Sequence, residues 1–301
     1  MRIVSLLASA TEMVCALGAG GMLVGRSHEC DHPDWVRGLP ACSEPAFDVT
    51  GSSASIDAEV RRRIAAGEEL YRIDAEKIAA LKPDLVIAQT HCDVCAVTPE
   101  HVERAGAAAP VLRLSAFTVE EIFESVAQVA ARLGLAERGA EVIQAERERL
   151  RAVRARTAAL RRPSVAVLEW ADPLFAMGNW GPELVEIAGG DLRIGESGKY
   201  STTLAPETLR DADPEFLIVA PCGFALDRSM AEKAALEKKA WWRGLRAVRD
   251  GKVAFADGNR FFHRSGMTIA RTAEIVAEIL HGVTFGEPAS GVSYRWMGEA
   301  A

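Results

Sequence analysis

The sequence lacks features that whole classes of protein require. No window reaches the roughly 18 apolar residues of a membrane-spanning helix, so we expect no membrane insertion. Basic residues form no dominant run and the formal net charge is −7, which argues against a nucleic-acid partner. The N-terminal stretch IVSLL is too short for the core of a secretory signal, and no small-residue cleavage site follows it. We therefore expect a cytoplasmic protein, or a periplasmic one if the natural start lies upstream.

Cysteine is present, but the spacing of a structural zinc site is not. The chain has 6 cysteines, and Cys92 and Cys95 form a single Cys-x-x-Cys pair without the second pair that such a zinc site needs. In a reducing compartment these side chains would be thiols. The pair therefore indicates metal binding or a reactive site rather than a disulfide.

An internal repeat organises the chain. The segment DAEKIAALKPDLVIA at 74–88 resembles APETLRDADPEFLIVA at 205–220. In each segment a glutamate, Glu76 or Glu207, precedes a proline by 7 residues, and an apolar stretch follows. The pattern predicts a short helix, a proline stop and a buried strand in both halves.

Strands and helices are expected to alternate in both halves, which is typical of parallel α/β sheets. We predict two α/β lobes with separate parallel sheets, over 1–117 and 163–301, and a ligand cleft between them. A helical linker over 118–162 joins them. Its apolar positions recur at helical spacing from Glu137 to about Leu160, which predicts one long backbone helix.

Candidate ligand contacts follow the predicted strands, because ligands of parallel sheets gather at the carboxyl ends of strands. The N-terminal half supplies mainly thiols and imidazoles, and the C-terminal half supplies mainly aromatic rings. Such a combination suits a large planar ligand or a metal centre. The candidates are His28, Glu29, Cys30, Gln89, His91, Cys92, Cys95, Trp170, Phe175, Trp180, Tyr200, Cys222, Phe224, Phe262 and His263.

Four segments resemble the cobalamin-binding proteins of ABC uptake systems. They are RIVSLLASATEMVCALGAGGMLVGRSHECDHP, IAALKPDLVIAQ, MGNWGPELVEIAGG and APETL. The resemblance covers nearly the whole chain. It implies a clamshell binding protein of two α/β lobes with a single helical backbone, which holds a ligand and catalyses no reaction.

The resemblance also implies roles for particular residues. In that family a glutamate on each lobe docks onto the permease, and Glu76 and Glu207 occupy the matching positions. Aromatic residues of both lobes sandwich the cobalamin, and Phe175 and the Tyr200–Ser201 region match two of those positions. The chain departs from the family in its N-terminal half, where Glu29 and Gln89 stand in place of aromatic residues.

Three hypotheses about function remain open at this point. The first is a non-catalytic binding protein for cobalamin or a related corrinoid or tetrapyrrole in the cleft, partnered by an ABC permease if exported. No Asp-x-His-x-x-Gly segment occurs, so we do not expect the ligand to be held as in His-ligated corrinoid enzymes.

The second hypothesis is a zinc or iron–sulfur site built from Cys30, Cys92, Cys95 and Cys222, since four thiolates suit either centre. The third is an enzyme with a Cys–His pair such as Cys92 and His263.

Overall fold

The computed structural model describes residues 1–90, 97–104 and 109–299. The described residues form two compact units. The first contains 1–51, 55–116 and 120–145, and the second contains 52–54, 117–119 and 146–301. In this part of the chain, no helix combines the length and the apolar character that crossing a bilayer requires.

The strands are short. They are β1 (Ile3–Ser5), β2 (Leu23–Arg26), β3 (Ser43–Pro45), β4 (Tyr71–Ile73), β5 (Leu85–Gln89), β6 (Val111–Leu114), β7 (Ser164–Ala171), β8 (Leu174–Ala176), β9 (Asp191–Leu192), β10 (Thr202–Leu204), β11 (Phe216–Val219), β12 (Val253–Ala256) and β13 (Tyr294–Trp296).

The helices alternate with these strands along the chain. They are α1 (Ala8–Ala16), α2 (Ser53–Ala66), α3 (Ala75–Leu81), α4 (Pro99–Arg104), α5 (Val119–Arg132), α6 (Ala136–Thr157), α7 (Gly181–Ile187), α8 (Pro206–Ala212), α9 (Leu226–Ala231), α10 (Lys233–Leu236), α11 (Arg246–Arg249) and α12 (Ile269–His281). A π-helical turn at Gly258–Phe262 follows β12.

The first unit is built on a parallel sheet in the order β2-β1-β5-β6. Every residue of β5 is buried, as expected for a strand covered on both faces. A separate antiparallel pair, β3 and β4, belongs to the same unit.

The second unit has a larger sheet in the order β10-β8-β7-β11-β12-β13, with β9 beside β7. The strands β9, β7, β11 and β12 are parallel, whereas β8 pairs antiparallel with both β7 and β10, and β13 pairs antiparallel with β12. The sheet is therefore mixed, although its central strands have the predicted direction. Trp242 and Phe255 are among the largest side chains of its core.

The long backbone helix is confirmed. The helix α6 has 22 residues and ends at Thr157, slightly before the predicted Leu160. The buried Thr157 hydroxyl donates to the carbonyl of Val153 at 3.1 Å, and the Leu160 amide turns back to the carbonyl of Thr157 at 2.9 Å. The division between the compact units falls within α6, and the boundaries at 117 and 162 stay a prediction.

The internal repeat is confirmed in detail. The helices α3 and α8 each have 7 residues, and each ends at a left-handed residue, Lys82 with φ 45° and Asp213 with φ 40°. A proline follows in both cases, and then a buried strand, β5 or β11. The two segments therefore share the backbone conformation of the helix end as well as their sequence pattern.

Candidate functional site

The candidate site of the second unit lies at the carboxyl ends of β7, β11 and β12. These strands are parallel neighbours, so the loops that follow them meet at one edge of the sheet. Direct hydrogen bonds join the loops. The Cys222 amide donates to the carbonyl of Glu169 at 2.9 Å, and the Asn259 amide donates to the carbonyl of Phe224 at 3.0 Å.

Glu169 is the central polar group of this edge. Its side chain lies near the end of β7, and the residue is only 8% exposed. The Ser201 hydroxyl donates to carboxylate oxygen Oε2, and the Gly178 amide donates to Oε1 at 3.3 Å. His263 Nδ1 lies 3.7 Å from the same Oε1. Three further segments of the chain thus converge on one buried carboxylate.

His263 is held at both ring nitrogens. Nε2 lies 2.6 Å from the carbonyl of Ala220, and it must be the donor because a carbonyl only accepts. Nδ1 faces Glu169. The prediction that His263 contacts a ligand therefore gains no support from its ring nitrogens, and the same holds for a role as a general base.

Three aromatic side chains of this edge remain partly exposed. Trp170 and Phe175 are paired across β7 and β8, and Trp170 Nε1 donates to the carbonyl of Ser53 at 3.1 Å. Tyr200 is 60% exposed and meets the ring of Phe117 edge-on at 4.9 Å. These three rings leave apolar surface exposed, and their contact with a ligand stays a prediction.

The other predicted aromatic contacts belong to the core, and we correct them. Trp180, Phe224 and Phe262 are buried, with exposed fractions of 4%, 2% and 1%. Phe224 packs between Trp170, at 5.2 Å between ring centroids, and the guanidinium of Arg228, at 3.7 Å. The prediction that these residues follow strands was correct. Their apolar rings, however, pack into the core of the second unit.

The prediction that Cys30, in the first unit, contacts a ligand or a metal is also corrected. It follows β2 as predicted, but only 1% of it is exposed. Its sulfur lies 3.1 Å from the Thr11 hydroxyl, 3.4 Å from the Ser27 hydroxyl and 3.6 Å from the carbonyl of Ser5. Burial raises the pKa of the Cys30 thiol, because a thiolate would lose its hydration there. The side chain is thus a structural thiol and not an exposed soft ligand.

His28 lies in the same loop, and its contacts are with the β3–β4 pair. Nδ1 is 2.9 Å from the Ser43 hydroxyl, and the ring is 5.5 Å from that of Tyr71. Burial, followed by the charge of Arg26, lowers the pKa of His28 to about 4. The imidazole is therefore neutral at pH 7.

Of the other predicted residues, Glu29 is half-buried and Gln89 is 1% exposed at the end of β5.

A cavity of about 750 Å³ opens beside β4 in the first unit. The ionisable side chains of its lining contact acidic or basic partners. Arg63 contacts Glu59 at 2.8 Å, and His101 Nε2 lies 3.3 Å from Glu69. These contacts already engage the ionisable side chains that line the cavity.

The thiolate site gains no support. In residues 1–90, 97–104 and 109–299, no group of three or more His, Cys, Asp and Glu side chains is placed to hold a metal ion. Cys222 is half-buried at the edge of the second sheet, and Cys30 is enclosed within the first unit. His91, Cys92 and Cys95 lie outside the described residues.

Glu76 and Glu207 are exposed, as expected. Each lies in the first turn of a short helix, α3 or α8, where the helix dipole favours a carboxylate. Their exposure is compatible with docking to a partner, and docking itself stays a prediction.

Glu169 is not among the candidate residues that the sequence predicts. The signal was available, because a lone carboxylate interrupts the apolar strand VAVLEW. A buried charge needs partners, so such a residue marks a place where other polar groups converge. Its partner Ser201 enters the sequence-based prediction only as part of the Tyr200–Ser201 region.

The chain belongs to the periplasmic binding protein family, whose sequence profile matches residues 3–259. No curated protein shows significant sequence similarity to it. Solved structures with the same fold include a periplasmic haem-binding protein from Pseudomonas aeruginosa (21% identity, 100% of this chain and 99% of that chain, TM-score 0.74). The vitamin B12-binding protein BtuF of Vibrio cholerae is also similar (21%, 93% and 96%, TM-score 0.66). A third is the haem-binding protein RhuT from Roseiflexus (21%, 93% and 98%, TM-score 0.69).

The expectation of a cytoplasmic location is wrong. The family is one of periplasmic binding proteins, and the similar solved structures are periplasmic haem- and vitamin B12-binding proteins. These findings point to the periplasm or another compartment outside the cytoplasm. The preference for metal binding over a disulfide at Cys92 and Cys95 assumed a reducing compartment, so it loses its premise.

Proposed function

We propose that the chain is the ligand-binding subunit of an ABC uptake system and binds cobalamin or a related corrinoid or tetrapyrrole without catalysing a reaction. The family supports a binding protein. The resemblance of the four sequence segments to cobalamin-binding proteins supports the choice of ligand. A ligand position between the two units stays a prediction.

The observation that carries the proposal is the aromatic surface of the second unit. Trp170 and Phe175 are paired across two strands, and Tyr200 precedes β10, which pairs with β8. Large flat ligands bind through such surfaces, because aromatic rings supply much apolar contact at little cost in side-chain entropy. Cobalamin and haem are both large macrocycles, so the surface suits either.

Calorimetric titration with cyanocobalamin and with haemin tests the proposal. We expect the purified protein to bind cyanocobalamin with a Kd of about 1 μM or tighter, about −8 kcal/mol, and haemin more weakly. Phe175→Ala and Tyr200→Ala should each weaken binding by about five- to tenfold through lost aromatic contact. Trp35→Ala is the matched control, since Trp35 is an aromatic residue of the first unit that is 51% exposed.

The outcomes separate the alternatives. Tight binding of haemin and none of cyanocobalamin would change the ligand but keep the class. If neither compound binds, the ligand proposal fails. Equal losses for Trp35→Ala and Phe175→Ala would show that the aromatic surface of the second unit has no special part.

Permease docking through Glu76 and Glu207 completes the proposal. Both carboxylates are exposed, so Glu76→Gln and Glu207→Gln should leave the Kd for the ligand unchanged. Uptake through a co-reconstituted cognate permease should fall when both are replaced. Unchanged uptake by the double variant would remove the docking role.

A further inference from the structure

We propose that Glu169 is the positioning residue of the candidate ligand site: its buried carboxylate fixes three segments, two of which carry Phe175 and Tyr200 of the proposed ligand surface. The inference rests on the proposed function and deepens it, since it names the group on which the geometry of that site depends. Glu169 itself is only 8% exposed and is not the ligand contact.

The first step is the convergence of hydrogen bonds. The loop after β8 donates through the Gly178 amide at 3.3 Å, and the segment before β10 donates through the Ser201 hydroxyl. The turn after β12 brings His263 to 3.7 Å. These partners lie in three separate parts of the chain, and the carboxylate of Glu169 is a contact that all three share.

The second step is the cost of burial. An ionised carboxylate that is removed from water destabilises the fold unless hydrogen bonds and opposite charge offset the loss. The Gly178 amide and the Ser201 hydroxyl supply such hydrogen bonds to Glu169, and His263 Nδ1 lies 3.7 Å from Oε1. The arrangement is therefore cooperative, and loosening one partner weakens the hold on the others.

The third step is close backbone packing at the same point. A Cβ atom at Gly178 would lie 2.5 Å from the Ser201 nitrogen and 2.6 Å from the Lys199 carbonyl oxygen. The Asn179 amide also donates to that carbonyl at 2.6 Å. The loop after β8 and the segment before β10 thus touch backbone to backbone beneath the carboxylate.

The fourth step concerns what these segments carry. Phe175 lies in β8, three residues before Gly178, and Tyr200 directly precedes Ser201. Both are partly exposed aromatic side chains of the proposed ligand surface. A change at Glu169 should therefore reach the ligand through the placement of Phe175 and Tyr200.

Glu278 provides a matched control in the same unit. It is 7% exposed and accepts hydrogen bonds from the Ala289 amide at 2.9 Å and the Ser290 amide at 3.0 Å. It is as buried and as well bonded as Glu169, but its partners are in the C-terminal segment. A purely structural carboxylate should behave like Glu278.

The experiment compares Glu169→Ala, Glu169→Gln, Ser201→Ala and Glu278→Ala in the full chain. Cyanocobalamin and haemin affinities are measured by calorimetry, and amide hydrogen exchange is followed in the absence of ligand. We expect Glu169→Ala to weaken binding at least about tenfold and to speed exchange over 176–181 and 199–202. Glu169→Gln keeps an acceptor for Gly178 and should restore affinity to within about threefold.

The controls make the inference refutable. Ser201→Ala removes only the hydrogen bond from the Ser201 hydroxyl to Glu169. This variant replaces Glu169→Ala in the experiment if Glu169→Ala does not fold. It should speed exchange over 199–202 and weaken binding by a few-fold. Glu278→Ala should speed exchange near 289–291 and leave affinity unchanged. Equal losses of affinity in Glu169→Ala and Glu278→Ala would reduce Glu169 to a general stabiliser.

Failure of the inference is distinguishable from failure of the proposed function. If the unaltered protein binds neither compound, the ligand proposal falls, and hydrogen exchange alone decides the role of Glu169. Unchanged exchange over 176–181 and 199–202 in Glu169→Ala and in Ser201→Ala would overturn the inference in either case. Faster exchange with unchanged affinity would also overturn it, because the segments would then not need fixing.

Discussion

At the scale of single residues, burial rather than a place after a strand sets the chemistry of the four cysteines that the structure describes. Cys30 is enclosed by two hydroxyls and a carbonyl. Burial raises the pKa of Cys15 and of Cys42 to about 11 in each case. Cys222 is half-buried at the edge of the second sheet. Since the thiolate is the reacting species, these side chains should differ strongly in reactivity.

Brief labelling of the folded protein with iodoacetamide at pH 8, followed by peptide mass spectrometry, tests that difference. We expect Cys222 to be modified well before Cys15, Cys30 and Cys42, whose raised pKa values keep them protonated. Labelling in denaturant is the control, because all four should then react at similar rates. Early modification of Cys30 in the folded protein would contradict its enclosed position.

Residues of the candidate site were predictable in position but not in orientation. The sequence placed Trp170 at the end of a predicted strand and Phe175 and Cys222 after predicted strands, and the family resemblance pointed to Tyr200. It could not show that Phe224, next to them, is buried, because a loop residue has no periodicity that reveals its direction. The sequence-based prediction lacks Glu169 for a related reason. A charged residue is usually exposed, and only the three-dimensional structure shows which partners surround it.

At the scale of elements, helices α3 and α8 end in the same unusual backbone conformation. Both α3 and α8 end at a non-glycine residue in the left-handed conformation, which favours glycine because other residues bring Cβ too close to the backbone. The proline that follows stops either helix from continuing. The same local solution in both halves explains why the repeat was visible in the sequence.

Replacement of these residues by glycine should stabilise the protein. Lys82→Gly and Asp213→Gly relieve steric strain, and after the entropy lost to the flexible unfolded chain we expect a gain of about 0.5 kcal/mol, larger for Lys82. Urea denaturation measures the change. Asp250→Gly is the matched control, since Asp250 ends α11 with φ −87° and should gain nothing. An equal gain at Asp250 would show that the left-handed conformation is not the cause.

Elements with strong patterns were predicted well, and short ones were not. Helix α6 and the central parallel strands follow clear apolar periodicity. The antiparallel strands β8 and β10 have 3 residues each and were missed, because so few residues show no alternation. These strands shape the candidate site, since β8 carries Phe175 and pairs with β10, which follows Tyr200. The less predictable part of the fold is thus the part that shapes the candidate site.

At the scale of the whole molecule, stability should fall in acid through two separate groups. His28 in the first unit has its pKa lowered to about 4 by burial and by Arg26. Glu215 in the second unit has its pKa lowered to about 2 by hydrogen bonds from Arg161 and Lys252. The unfolded chain binds protons more readily than the folded protein at both groups. Falling pH therefore favours unfolding at each of them, but over different ranges.

The ranges follow from the pKa values in the two states. Between pH 6.5 and about 4 the unfolded His28 takes up a proton that the folded protein refuses, and the loss is on the order of 2–3 kcal/mol. Stability from Glu215 is fully present above its unfolded pKa of about 4.5 and is lost as pH falls towards 2.

Urea denaturation at a series of pH values should show both losses. His28→Asn keeps a polar group near Ser43 and should flatten only the upper range, whereas Glu215→Gln should flatten only the lower one. Parallel stability curves for His28→Asn and the unaltered protein from pH 7 to 4 would show that the buried imidazole does not control acid stability.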